Sequence, residues 1–325
     1  MSLPLSIGAS GEEVRDLHRR LAAAGHRLTF DLAHYSTSTA TAIKQFQTAH
    51  GLDPTGVCDQ ATWNTLVEAS YKLGDRAIYY TQPMLRGDDI ADLQLRLGSL
   101  GFDAGRADGI FGPETERAVA DFQRNAGLTS DGVAGPQTIA ELVRLSVRAD
   151  TSRSVAQVRE QEELRSGPRQ LAGLRVAVGE NGPFHALVHL IGRQIREQGA
   201  VVLEEHHPDW STQARNANEF AAQVFVAITP GDDDRCDVAY FETTGFASTG
   251  GRHLAVICAD LLPSALGIAT GTASGMRLAI LRETRMPAVL CRLGSPARVV
   301  SRNAELAAAL VEALDAWVRT PPVTD

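Results

Sequence analysis

An offset of 76 residues lays the first part of the chain over itself without a gap. It carries Gly11 onto Gly87, Leu17 onto Leu93, Leu21 onto Leu97, Thr39 onto Thr115, Phe46 onto Phe122 and Gln47 onto Gln123. Further on, Gly51, Gly56, Val57, Thr62 and Leu66 fall on Gly127, Gly132, Val133, Thr138 and Leu142. An ungapped match of this length limits 1–72 and 83–146 to two versions of one small unit. In the second version Ile90, Leu93, Leu97 and Leu100 recur at helical spacing, and Pro113 and Pro136 stand where a helix tolerates a missing N–H, its first turn. The pattern predicts helices over 88–100, 113–125 and 136–145, punctuated by glycines. Between the first two lies "DGIFG", Asp108 to Gly112, whose glycines suit the positive-φ positions of a tight turn; the first copy reads "DLAHYSTST" there.

From Ser146 the text becomes polar and charged, and 147–170 reads as a linker with a helical stretch over 155–164. Beyond Leu171 short apolar runs alternate with amphipathic stretches. Strands are expected at 174–178, 201–204, 224–228 and 288–291, with a further run at 238–241. Helices are expected near 184–198, 212–222, 251–262 and 303–318. This alternation predicts an α/β domain over 171–319, a mostly parallel sheet with helices on both faces, ahead of a short tail at 320–325. The chain as a whole is therefore multidomain: two all-α repeats, then α/β.

Charge and termini remove whole classes of function. A net charge of -8 without any basic stripe argues against a general nucleic-acid binder. Neither a signal peptide nor an 18-residue apolar run is visible, so no membrane span is expected and the cytoplasm is the expected compartment. The four cysteines, Cys58, Cys236, Cys258 and Cys291, lack CxxC spacing and read as reduced, packed thiols.

The second copy, "GDDIADLQLRLGSLGFDAG" through "DGIFGPETERAVADFQRNAGLTSDGVAGPQT", resembles a three-helix peptidoglycan-binding domain. The resemblance implies binding of peptidoglycan or its precursors, with Asp108, Gly109, Phe111 and Gly112 as ligand candidates. The segments "NANEFAAQVFVAIT" (Asn216 to Thr229) and "LRETRMPAVLCRLGS" (Leu281 to Ser295) resemble the zinc-dependent N-acetylmuramoyl-L-alanine amidases over about 171–319. In that family three protein ligands leave zinc one open position for water, whose proton passes to a glutamate as the water attacks an amide. Here the loop after the first strand reads Gly179, Glu180, Asn181, Gly182 in place of GHGG. Glu180 aligns either with that missing histidine or, counting back from Gly199, with the glutamate ligand that follows it. Thr229 stands where the resemblance places the third ligand, and Arg292 where it places the catalytic base. An arginine neither accepts a proton nor suits the neighbourhood of a dication. The expectation is a lost zinc site, no cofactor and no catalytic residue. Glu180, Thr229 and Arg292 should gather at the carboxyl ends of their strands, with Arg292 free to hold a carboxylate or phosphate.

Other groups could rebuild a site. His185 and His189 lie four apart on an expected helix, and His206 and His207 follow the next strand, but the stretch lacks the glutamate of an HExxH motif; the simpler reading is histidines without metal. "GDDD" at 231–234 lacks the spacing of a calcium loop and reads as an acidic turn. Cys291 beside Arg292 reads as packed rather than activated. Thr320 and Thr324, in a Pro-containing tail, are phosphorylation candidates.

The two repeats, the connector "EASYKLGDRAIYY", the linker "VREQEELRSGP" and the degenerate amidase-like domain together resemble the actinobacterial CwlM-like proteins. That resemblance implies control of peptidoglycan precursor synthesis from the cytoplasmic side, with a MurA-type enolpyruvyl transferase as partner and Ser/Thr kinase input. The leading expectation is a non-catalytic pseudo-amidase. The alternatives are an active zinc amidase with a rebuilt metal site and an exported wall-anchoring module.

Overall fold

Helices α1 (Glu12–Ala23), α2 (Thr37–Ala49) and α3 (Gln60–Ser70) form the first repeat, and α4 (Asp88–Ser99), α5 (Pro113–Asn125) and α6 (Pro136–Ser146) the second. The computed structural model describes residues 3–26, 33–50, 52, 54–146, 155–232, 234–243, 245–320 and 322. It divides into two compact units, Met1–Ala156 and Gln157–Asp325. The 76-residue register holds in the cores of the first unit. Val14, Leu17, Leu21, Ile43, Phe46 and Leu66 are buried in one repeat, and Ile90, Leu93, Leu97, Val119, Phe122 and Leu142 in the other.

A buried glutamine does the same work in each copy. Gln47 donates from Nε2 to the Val57 carbonyl and the Thr62 hydroxyl and accepts from the Gly56 N–H. Gln123 repeats this with Val133, Thr138 and Gly132. Buried polar groups are stable only when paired, so this amide fixes the turn that leads into the third helix of each repeat. The DGIFG turn has its own clamp. Gln94 donates to Asp108, the Ile110 carbonyl and Thr115, and accepts from the Gly109 N–H at 2.9 Å. His18 stands in place of that glutamine in the first repeat and meets the Thr115 counterpart, Thr39, at 3.0 Å. There Tyr35 takes the place of Phe111, its hydroxyl donating to the Gly56 carbonyl, and Ser36 caps α2 in a capping box with Thr39.

In the connector, Arg76 grips the fully buried Asp89 with two hydrogen bonds, at 2.7 and 3.0 Å, and stacks on Tyr71.

The second unit opens within α7 (Val155–Ser166) and continues β1 (Arg175–Glu180), α8 (His185–Glu197), β2 (Val201–Glu205), α9 (Trp210–Glu219), β3 (Val224–Pro230), β4 (Cys236–Thr243), β5 (Phe246–Ala247), α10 (Thr249–Leu266), β6 (Thr272–Met276), α11 (Ala279–Glu283), β7 (Ala288–Leu293), α12 (Pro296–Ser301) and α13 (Asn303–Arg319). The sheet runs β2-β1-β3-β7-β4-β5, with β6 beside β4. β2, β1, β3 and β7 are parallel; β4 runs against β7, and β6 parallel to β4. The sheet is mostly parallel, as expected, and β4 brings its antiparallel pairings, with β7 and β5. Val176, Val178, Val226, Ile228, Val289 and Cys291 pack under α8, α10 and α13, while alternate residues such as Ala177, Phe225, Ala227 and Leu290 are buried beneath the opposite face.

The stretch read as linker, 147–170, needs correction from Gln157 onward. Residues 147–154 lie outside the described residues, but α7 is built into the second unit. Glu160 accepts from the Ser248 hydroxyl at 2.6 Å and from the N–H groups of Thr249 and Gly250, capping α10. A carboxylate at a helix amino terminus meets both free N–H donors and the positive end of the dipole.

Candidate functional site

The carboxyl ends of β1 and β2 bring together three chemically active side chains. Glu180 closes β1 and is only 1% exposed. Its Oε2 accepts from the backbone N–H of Gly182 at 2.6 Å and of Phe184 at 3.3 Å, which folds the loop back onto the strand end. Its Oε1 lies 3.0 Å from His185 Nδ1 and 3.2 Å from His206 Nδ1. His185 opens α8, and His206 directly follows β2; their rings stack with centroids 4.3 Å apart and planes 6° from parallel. Parallel pairing of Gly179 with Glu205 carries the next pair of residues, Glu180 and His206, side by side.

Gln213 on α9 braces this corner from the other face. Its amide donates to the Glu180 carbonyl at 2.8 Å and to the His207 carbonyl at 2.5 Å. Gly179 makes room for it, because a Cβ there would stand 2.1 Å from Gln213 Oε1. A glycine at this position of β1 is therefore required for close packing.

The sheet separates the groups that the sequence placed together. Glu180 pairs with Ile228, Ile228 with Cys291, and Thr229 with Arg292. Paired residues share a face and successive residues alternate, so Glu180 lies on the α8 face while Thr229 and Arg292 lie on the other. The three expected neighbours occupy adjacent strand ends but do not form one cluster. Arg292 is partly buried, stands opposite Asp237 of β4, and packs against the backbone of Gly231.

The four candidate histidines do not form one cluster. His185 and His206 meet at Glu180, whereas His189 joins Glu204, which Arg196 also binds, and His207 accepts from the Asp209 N–H at the start of α9. Asp209 caps α9 through Ser211 and Thr212. The Thr212 hydroxyl, and then these N–H groups, hold its carboxyl below the usual range against the opposing effect of burial. Cys291 is no activated thiol: a hydrogen bond with Cys258 and full burial push it well above its ordinary value. Cys236 is pushed up to about 12 by burial. Thr320 caps α13, its hydroxyl donating to the Ala316 carbonyl at 2.7 Å; Thr324 lies outside the described residues, as does Asp233 of the acidic turn.

In the second repeat Asp108 accepts from Gln94 and from the Ile110 N–H. Gly109 adopts φ 73° with Gly87 O 2.8 Å from any added Cβ. Phe111 is fully buried, so it shapes the turn from within and offers no surface to a glycan. Gly112 ends the turn as the cap residue of α5.

The donor set of two imidazoles and one carboxylate matches zinc in number and type. The positions that the amidase resemblance gives to the third ligand and the base, Thr229 and Arg292, do not: a hydroxyl is a poor zinc ligand and a guanidinium repels the ion.

The peptidoglycan binding domain family model matches residues 10–66 and 86–142. The N-acetylmuramoyl-L-alanine amidase CwlM of Mycobacterium tuberculosis is 32% identical over 290 residues, covering 78% of this chain and 70% of that protein. CwlL of Bacillus licheniformis, also named an N-acetylmuramoyl-L-alanine amidase, is 32% identical over 163 residues, 43% of this chain and 45% of that one. Among solved structures, the N-acetylmuramoyl-L-alanine amidase of Clostridium difficile 630 is similar over 46% of this chain and 99% of its own, at 16% identity and a TM-score of 0.39.

Proposed function

The chain belongs to the family of the CwlM amidase, and from that premise we propose that it is a non-hydrolytic member, a peptidoglycan-binding pseudo-amidase that regulates cell-wall synthesis. The observation that carries this reading is the Thr229–Arg292 pair, side by side on one face at the carboxyl ends of β3 and β7. Hydrolysis of the amide needs a base that takes a proton from water; Arg292 stays protonated and cannot. The same cation suits a carboxylate or phosphate of a precursor, through charge-assisted hydrogen bonds. Two matches to the peptidoglycan binding domain support a glycan or muropeptide ligand. No helix among the described residues is long and apolar enough to cross a membrane, and the reading places the protein in the cytoplasm, with a MurA-type enolpyruvyl transferase as partner and a Ser/Thr kinase as input.

The test is a muropeptide hydrolysis assay on purified protein, run with and without added zinc. No release of peptide is expected in either condition, together with retention on insoluble peptidoglycan; zinc-dependent release would overturn the reading. Arg292→Ala is expected to weaken precursor binding by about tenfold, the loss of one charge-assisted contact. Unchanged binding would remove Arg292 from the ligand site.

A further inference from the structure

We infer that Glu180, His185 and His206 form a divalent metal site of the zinc class, on the opposite sheet face from Thr229 and Arg292 and independent of hydrolysis. Three features support it. The three residues offer ligand atoms that all lie within 4.8 Å of one another. Two of the separations, 3.0 and 3.2 Å from Glu180 Oε1 to the two Nδ1 atoms, approach the edge of about 3.3 Å that a tetrahedron has when its metal–nitrogen bonds are about 2.0–2.1 Å long. The carboxylate is also oriented as a ligand should be. Its Oε2 is tied to two backbone N–H groups and its main-chain carbonyl to Gln213, so Oε1 is left facing the imidazoles. Supporting contacts of this kind fix ligand geometry in metal sites.

The site is reachable. His185 is 67% and His206 32% exposed at the side chain, against 1% for Glu180. A metal would therefore enter from solvent and close onto a buried anion, with a position left for an outside oxygen donor. Its three ligands come from the end of β1, the first turn of α8 and the exit of β2, so metal occupancy would tie these elements together. Coordination of this sort is folding free energy, because the unfolded chain does not hold the donors in place.

The experiment uses the full chain, free of any histidine tag and stripped with chelator, titrated with zinc and with cobalt(II). One equivalent is expected to bind, cobalt giving the strong visible absorption of a four-coordinate ion, and the thermal midpoint should rise with free metal concentration. His185→Ala, His206→Ala and Glu180→Gln should each weaken binding at least tenfold. His189→Ala and His207→Ala should leave it unchanged. His185 is largely exposed, so its variant keeps the fold even if Glu180→Gln does not. Wild-type affinity in both His185→Ala and His206→Ala, or no binding by the parent protein, would overturn the site. Muropeptide turnover by the metal-loaded sample would overturn the non-hydrolytic reading instead, and leave the site standing.

Discussion

At the residue scale, the glycines of the repeats do two different jobs. Gly109 combines φ 73° with a carbonyl oxygen only 2.8 Å from where a Cβ would sit, whereas Gly127 has φ 71° and nothing within 4 Å. Gly127→Ala carries only the left-handed backbone penalty, about 1–2 kcal/mol. Gly109→Ala adds a collision with backbone that cannot swing aside, so its loss should be larger by at least about 1 kcal/mol in urea unfolding. Equal losses would mean that the DGIFG turn shifts freely. Arg76 provides a second case. Removing it leaves the buried Asp89 carboxylate without its two guanidinium bonds, and breaking a buried pair from one side costs about 3–5 kcal/mol. Arg76→Ala should lower the unfolding free energy, read from urea denaturation, by an amount in that range, while Arg124→Ala, whose partner Asp121 is exposed on the surface, should change stability by less than about 1 kcal/mol.

At the element scale, helix ends decide what the sheet can present. Asp209 opens α9, the helix that carries Gln213 to the Glu180 corner. Its folded carboxyl titrates below the unfolded value, so its contribution is present above about pH 4 and is lost as pH falls through the lower, folded value. Asp209→Asn should therefore lose little cap strength at neutral pH but remove part of the acid sensitivity, read as a smaller drop in thermal midpoint between pH 5 and pH 3 in paired melts. The elements themselves were largely legible from the sequence, because helices with one apolar stripe and parallel strands with buried β-branched runs write their periods directly. β6 was not: Thr272 to Met276 holds a Gly at 275, where a Cβ would stand 1.9 Å from Glu242 Oε2, and a strand defined by close approach has no apolar alternation to read. The site was legible only in parts. His185 and His206 were both singled out, but their meeting at Glu180 depends on the β1–β2 register, and spacing of four along α8 pointed to His189 instead. The β1–β3 and β3–β7 registers, by alternation, set Glu180 on one face and Arg292 on the other, which an alignment along the chain cannot express.

At the scale of the whole molecule, the question is where the second unit begins, and α7 supplies the answer. Glu160 caps α10 with three hydrogen bonds, and Leu164 packs on the core, close enough that Gly250 has no room for a Cβ, with Leu164 Cδ1 at 3.1 Å and Pro287 Cγ at 2.7 Å. Losing a cap of this kind costs about 1–2 kcal/mol, and exposing a leucine and the surface beneath it about 1.5–3 kcal/mol more. A fragment 171–325 should thus be less stable than a fragment 155–325 by about 3 kcal/mol. For a unit of this size that corresponds to a midpoint lower by roughly 6–12 °C, measured by calorimetry on the two fragments side by side. Glu160→Gln in the longer fragment should reproduce part of this loss, since the amide oxygen still accepts one N–H but brings no charge to the helix end. Coincident midpoints for 155–325 and 171–325 would return α7 to the status of a linker. A midpoint for 155–325 equal to that of the carboxyl-terminal transition in the full chain would establish that this unit, with α7 as its first element, holds its fold without the peptidoglycan-binding repeats.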